Sequence, residues 1–463
     1  MITFLWLSTY PFGHNYSSAQ DVLVCNGWSW QMLTLTSNWA MDRLADLVPP
    51  PHTRGPLTLQ SFTQDLLPPL ICYFVTAVLV VTPKSFPARL ALLPISLWSA
   101  FRASTRLDLA AGYGDERLLY LNQGLVVCML PRPFSPLTNF DQLAMTILGT
   151  RVVIWTFRTE PYRRLKAPWN PNAIDPSRLE DSLSPKQTVA DAGDLIFNLR
   201  GLGWNWSHGL HIPPETRPTS SRSAFLSVTF LDFLFWMFLW DTFHYSVQWF
   251  SPLTIGSPKG GTIFDAAMPP LQRYLRSSVI TLLSGATVYC AISTVYLFFT
   301  ICGVLVLRHD PLQWPPVFHA PWFATSLNDF WSRRWHQIFR DSFVSFGGKP
   351  LLLLFGRAGG VLGAFLVSGI LHDFGTWGMG NGGDFRCIAG FFVIHGIGMI
   401  LEHTWKRITG SLVGGYFGKL WTLLWLVGWG NMLADAWARK GLVGSVFFPD
   451  NIRPTHNIFG PLS

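Results

Sequence analysis

Residues 277–307 contain no charged side chain. A helix that crosses a bilayer needs about 20 consecutive, mostly apolar residues. This run exceeds that length and would accommodate a tilted helix. The rest of the chain has the same bias. Charged residues make up 13% of the 463 residues and hydrophobic ones 49%, whereas soluble domains average about 25% charged. The 22 Trp and 36 Phe suit bilayer interfaces and large apolar contacts. The net charge of +8 does not point to nucleic acid. Lys and Arg fall mostly in loops between apolar runs, where the orientation bias of membrane proteins accounts for them.

Further apolar runs occupy 67–83 and 87–101, divided by "PKSFP", then 119–130 and 143–157, the last holding Arg151. Downstream lie 224–240 with Asp232, 351–371 with Arg357, 388–401 and 411–437. The expected fold is an all-α integral membrane bundle of roughly seven to nine transmembrane helices with one interfacial helix. The organisation read from composition is an extramembrane or interfacial segment 1–66, N-terminal transmembrane helices 67–157, an extramembrane loop 158–222, a core 223–438 and a polar tail 439–463. The core includes a polar segment, 308–350. No internal repeat is visible, which weighs against a transporter built from inverted repeats.

Polar chemistry concentrates in two places. "TSLNDFWSRRWHQIFRDSF" (325–343) interrupts the apolar pattern, and "SGILHDFG" (368–375) ends an apolar run on His372. Ser326 or Asn328 could cap a helix over the first stretch. On that helix Phe330, Arg334 and Ile338 share one face, as do Trp331, Trp335 and Phe339, while Arg333, His336, Gln337 and Arg340 form another. Such a helix would lie in the membrane interface, its arginines suited to phosphate. The plainer alternative is an amphipathic linker anchored by tryptophan. An ionisable residue at membrane depth is a functional candidate, and a neutral histidine there can act as a general base. The plainer reading of His372 is a helix-end histidine bonded to a loop.

Other signals carry less. There is no CxxC pair, and His208-Gly-Leu-His211 stands alone, so no metal site is expected. His336 and Asp341 fit a short His-x4-Asp pattern. Asp232 and Arg357 could pair inside the bilayer, and Trp240, Asp241 and His244 read as interfacial. Glu402 with His403 reads as a helix-end salt bridge or interface anchor. Two glycosylation sequons begin at Asn15 and Asn205. No Gly-x-Ser-x-Gly surrounds any serine, so a covalent acyl-enzyme is not required.

"SLNDFWSRRWHQIFR" resembles the signature of the wax synthase-like branch of the membrane-bound O-acyltransferases. "QWPPVFHAPWFATSL", "FNLRGLGWNW" and "GILHDF" resemble neighbouring segments of that family, so the resemblance covers about residues 195–405. It is closest in character to fungal acetyltransferases of terpenoid and meroterpenoid pathways. The resemblance implies that His372 is the catalytic histidine and His336 the second polar residue of the active site. Asn328, Trp331, Arg333, Arg334, Trp335, Arg340 and Asp373 become candidate contacts for acyl-CoA or substrate. Asp373 departs from the glutamate common after that histidine, and could orient His372 or cap the next turn. The implied reaction is direct transfer of an acyl group, most simply acetyl from acetyl-CoA, to a hydroxyl of a lipophilic acceptor. His372 would take the proton, and His336 or Asn328 would donate to the oxyanion. Wax-ester synthesis from a long-chain alcohol is the alternative within the family, and transport is the alternative outside it. The implied surroundings are a multi-pass position in the endoplasmic reticulum membrane, with acyl-CoA and the acceptor as partners and no permanently bound cofactor.

Overall fold

The computed structural model describes residues 53–111, 116–118, 142–165, 184–448 apart from His208, 450 and 453–462. Residues 1–52, the 119–130 run, Asn15 and His208 lie outside the described residues. Five helices among the described residues are long and apolar enough to cross a membrane: Leu59–Val81, Arg222–Trp249, Pro270–Leu305, Arg340–Gly378 and Phe385–Thr409. The chain is an all-α integral membrane protein, and its described residues hold five of the seven to nine crossings read from the sequence. Its only pairing of strands among the described residues joins Gly55–Pro56 to Leu107–Asp108 in parallel.

The N-terminal group begins with α1 (Leu59–Val81), opened by a capping box between Thr58 and Ser61. It continues with α2 (Phe86–Arg106), α3 (Gln142–Thr156) and α4 (Pro185–Phe197). Helix α4 lies within the span read as a loop. Ser184 caps it and Pro185 opens it, and its Ala192 and Leu195 are buried with Val80, Val81, Trp155 and Trp204. Arg151, which makes 143–157 an unpromising crossing, is buried and donates to the Leu195 carbonyl at 2.6 Å. Arg89 likewise donates to the carbonyls of Trp155 and Arg158. An arginine can sit in an apolar core when its donors meet backbone carbonyls that lack helical partners.

The C-terminal group comprises α5 (Arg222–Trp249), α6 (Pro270–Leu305), α7 (Lys349–Gly378), α8 (Phe385–Thr409), α9 (Gly415–Arg439) and α10 (Pro454–Phe459). The pairs α5–α6, α7–α8, α8–α9 and α6–α9 are in contact. The tail is not simply polar and free. Arg453 forms a buried ion pair with Asp241 at 2.6 Å and bonds Gln248 at 2.9 Å, which ties α10 to α5. Trp240, Asp241 and His244 are buried in the protein. Asp232 and Arg357 form no ion pair with each other.

Helix α7 is not straight. Gly356 has φ 66° and ψ −159°, a non-helical conformation that favours glycine. The chain reverses there. A methyl group on Gly347 would overlap the carbonyl oxygen of Gly363, and one on Gly359 would overlap that of Leu351. The stretch 340–378 is thus a helical hairpin whose arms meet through glycine, with Leu353, Leu354 and Phe355 exposed at its tip. The arm 357–378 alone has about the 20 residues that a crossing needs. Close approach of backbones through small residues is a common packing device between membrane helices. Gly363→Val should therefore lower stability by about 1–3 kcal/mol. A thermal melt in detergent followed by tryptophan fluorescence would read this as a lower midpoint, and an unchanged midpoint would mean that the arms are not in contact.

Candidate active site

His372 lies on the returning arm of the hairpin. Its Nδ1 donates to the Ser368 carbonyl at 2.7 Å, and its ring packs on Phe392 of α8 with centroids 4.4 Å apart. The bond at Nδ1 selects the tautomer with its lone pair on Nε2. His372 lines a cavity of about 2760 Å³. The cavity wall takes residues from Thr281 to Gly303 on α6, from Lys349 to Gly375 on α7 and from Lys419 to Trp437 on α9, so the space extends along most of the bundle.

The segment opposite His372 differs from its expected form. Helix begins at Leu327, where Ser326 caps the amide of Asp329 at 2.9 Å. The Glu402 carboxylate, from α8, accepts the amides of Leu327 at 2.6 Å and Asn328 at 3.0 Å and the Trp421 indole N–H at 3.0 Å. An anion suits a helix N-terminus. Residues 330–334 form a wide π turn, and Trp335 is extended, with φ −77° and ψ 153°. The helix therefore ends before His336, and the two faces expected through Phe339 do not form. Side chains compete for the backbone here. The Gln337 amide donates to the carbonyls of Trp331 at 2.7 Å and Trp335 at 3.0 Å. Arg334 pairs with Asp329 at 2.5 Å and donates to the carbonyls of His319 and Ala320, each at 3.2 Å.

This break turns His336 into the cavity. Its ring is packed by Phe318, Trp335 and Phe339, and its Nδ1 is buried with no hydrogen-bond partner in the protein. Burial pushes its pKa down to about 3, helped by the charges of a protonated His372 and of Arg200. His336 is thus neutral at any ordinary pH, with one ring nitrogen lacking a partner in the protein.

The other sequence candidates divide. Trp331, Trp335 and Arg340 line the cavity with the two histidines. Trp331 stands among Phe365, Phe391, Phe392 and His395. Asn328 and Arg333 are exposed and away from the cavity. Asn328 accepts from Ser332 at 3.2 Å, so it is not placed to donate beside His336. Arg334 is held in its ion pair. Asp373 is buried, lies off the cavity wall and accepts the Asp384 amide at 2.8 Å. It fastens the loop that leads into α8. Asp341 does not line the cavity.

One supporting residue, Arg200, escaped the sequence reading, and a second, Glu402, was read there as a helix-end salt bridge or interface anchor and instead holds the turn at Leu327. Arg200 is buried and donates to the carbonyls of Pro315 at 2.8 Å and Pro316 at 3.0 Å, and to the Tyr296 hydroxyl at 2.5 Å. It fixes the segment that supplies Phe318 to the His336 ring. Glu402 is a lone carboxylate in an apolar helix, a signal that could have marked it. Among the described residues no three His, Cys, Asp or Glu side chains converge as metal ligands.

Residues 314–394, which hold both histidines, match the profile of the membrane bound O-acyl transferase family. The chain is similar to the acetyltransferase eriL of Hericium erinaceus, 26% identical over 286 residues that cover 58% of this chain and 72% of that protein. It is similar to the acetyltransferase aurG of Calcarisporium arbuscula, 29% identical over 170 residues, 33% of this chain and 41% of the relative. It is also similar to a long-chain-alcohol O-fatty-acyltransferase of Simmondsia chinensis, 32% identical over 106 residues, 21% and 30% of the two chains. The chain spans less than two thirds of the length of the latter two relatives. The resemblance to the wax synthase-like branch, read from the 325–343 signature, is borne out.

Glu402→Ala would leave two helix-start amides unpaired, at a cost of about 1–3 kcal/mol for each one that stays buried and unsatisfied. Hydrogen exchange at residues 327–328 should accelerate well beyond any change at 370–375. Equal protection in variant and wild type would show that the carboxylate does not hold this turn.

Proposed function

We propose that the chain transfers an acyl group from acyl-CoA to a hydroxyl of a lipophilic acceptor, with acetyl as the donor group and an oxygenated terpenoid-like alcohol as the acceptor. The observation that carries this reading is the meeting of His372 and His336 on one largely apolar cavity, with Nε2 of His372 left free by the bond at Nδ1. The fungal relatives named as acetyltransferases support the choice of acetyl. Residence in the endoplasmic reticulum is part of the same proposal and rests on the family resemblance.

In the proposed step Nε2 of His372 takes the proton of the acceptor hydroxyl as its oxygen attacks the thioester carbon. The new C–O bond forms and the C–S bond breaks. His336 donates a hydrogen bond to the carbonyl oxygen as it gains charge. The coenzyme A thiolate leaves and takes the proton from His372. The apolar walls keep water from competing with the alcohol.

A second reading, transfer of a long-chain acyl group, is favoured by the cavity's volume, about 2760 Å³, and by the plant relative. Microsomes supplied with labelled acetyl-CoA or palmitoyl-CoA and a panel of alcohols separate the two. His372→Ala at equal expression should lower ester formation by about 10²–10⁴-fold, and His336→Ala by about 10²–10³-fold. Full activity in His372→Ala would end the acyl-transfer reading at this site and make transport assays the next step. Because His336 is already neutral above about pH 3, His336→Asn should leave the acid limb of the pH–rate profile where it is. A shifted limb would mean that His336 titrates during turnover.

A further inference from the structure

Of the serine and threonine hydroxyls on α6, Ser278 accepts from the Asn431 amide at 3.4 Å, and the rest fall into two groups. Ser277, Thr287, Ser293, Thr294 and Thr300 bond back to carbonyls of their own helix, at 2.7–3.1 Å. This is how hydroxyls are ordinarily satisfied inside membrane helices. Thr281 and Ser284 do not. Their oxygens are buried and have no hydrogen-bond partner in the protein. Both residues line the cavity, and Ser284 is only 9% exposed. Three positions apart on a helix, they share a face. The next residue, Gly285, also lines the cavity, and a methyl group built on it would meet nothing within 4 Å.

The packing of α9 relates this pair to the histidines. Gly430 of α9 abuts the methyl of Thr281. One turn further on, Leu433 belongs to the cluster that contains Phe392, the ring on which His372 lies. Thr281, Ser284 and His372 therefore all line this one cavity. A buried hydroxyl without a partner costs free energy, and a site that holds one discriminates strongly in favour of a ligand that can bond it.

We propose that Thr281 and Ser284 form a polar subsite for a second oxygen function of the acceptor, a hydroxyl or carbonyl remote from the hydroxyl that is acylated. The proposal rests on the acyl-transfer reading for the identity of the ligand as acceptor. It makes the acceptor a compound oxygenated in at least two places, and it makes the two side chains specificity determinants rather than catalytic residues.

The test is binding to the purified full chain in nanodiscs, read by tryptophan fluorescence, with dodecanol and dodecanediol as probes. The affinity ratio of diol to alcohol should fall by about tenfold in Ser284→Ala and in Thr281→Val, the size expected for one lost hydrogen bond. Ser284→Thr and Thr281→Ser should keep the ratio within about twofold. Melting midpoints guard against misfolding, and the two sites provide independent variants. A ratio that is the same in all five proteins overturns the subsite. Ester formation from the same two probes is measured in parallel. Diol preference without ester formation would retain the subsite and reject the acyl-transfer reading. Ester formation with no effect of either substitution on the ratio would do the reverse.

Discussion

Backbone that leaves the helix inside a membrane protein must find its hydrogen bonds within the protein. Residues 311–339 meet this demand with long polar side chains. Arg200 takes the carbonyls of Pro315 and Pro316, and Arg217 that of Trp314. Arg334 takes His319 and Ala320, and Gln337 takes Trp331 and Trp335. Glu402 does the converse service for the amides of Leu327 and Asn328. The prolines at 311, 315, 316 and 321 have no amide hydrogen to place. What this segment chiefly lacks is donors for its carbonyls, and arginine supplies several from one side chain.

In the sequence Arg333, His336, Gln337 and Arg340 share a basic face suited to phosphate, and of its two arginines Arg340 lines the cavity. Arg334 is held by Asp329 and two carbonyls, and Arg333 does not line the cavity. The irregular path these bonds stabilise gives His336 its position, because a continued helix would have carried its ring elsewhere. His336 owes its low pKa mainly to this burial among Phe318, Trp335 and Phe339.

The membrane character of the chain was legible wherever apolar runs were long and uninterrupted, as in 277–307. His372 stood out as a candidate because an ionisable residue at the end of such a run is costly, and the structure places it on the cavity wall. The shape of 308–350 was not. Its spacing fits a helix with two faces, and only the competition of Gln337 and Arg334 for backbone partners breaks it. Helix α4 was hidden because few of its residues are buried, and one of those, Asp191, is a carboxylate, while Val189 and Phe197 are exposed. The burial of Asp241 depended on Arg453, more than two hundred positions away, and a window of sequence cannot show such a pair. The exposure of Asn328 follows from the bonds Glu402 makes to the adjoining backbone, again from a distant helix.

The reversal at Gly356 has a metric consequence. His336 stands 20 positions before it and His372 stands 16 positions after it. The turn works as the fixed end of a ruler folded in two: His372 is a mark on the returning limb, and His336 stands four positions before Arg340, where the outgoing limb begins. Each residue on a helical limb adds about 1.5 Å of rise and about 100° of rotation. Adding one residue to a limb would both slide its histidine along the cavity and swing it around the helix. The lengths of the limbs on either side of one glycine, together with the side chains that hold residues 335–339 off the helix, determine whether the two imidazoles look into the same space.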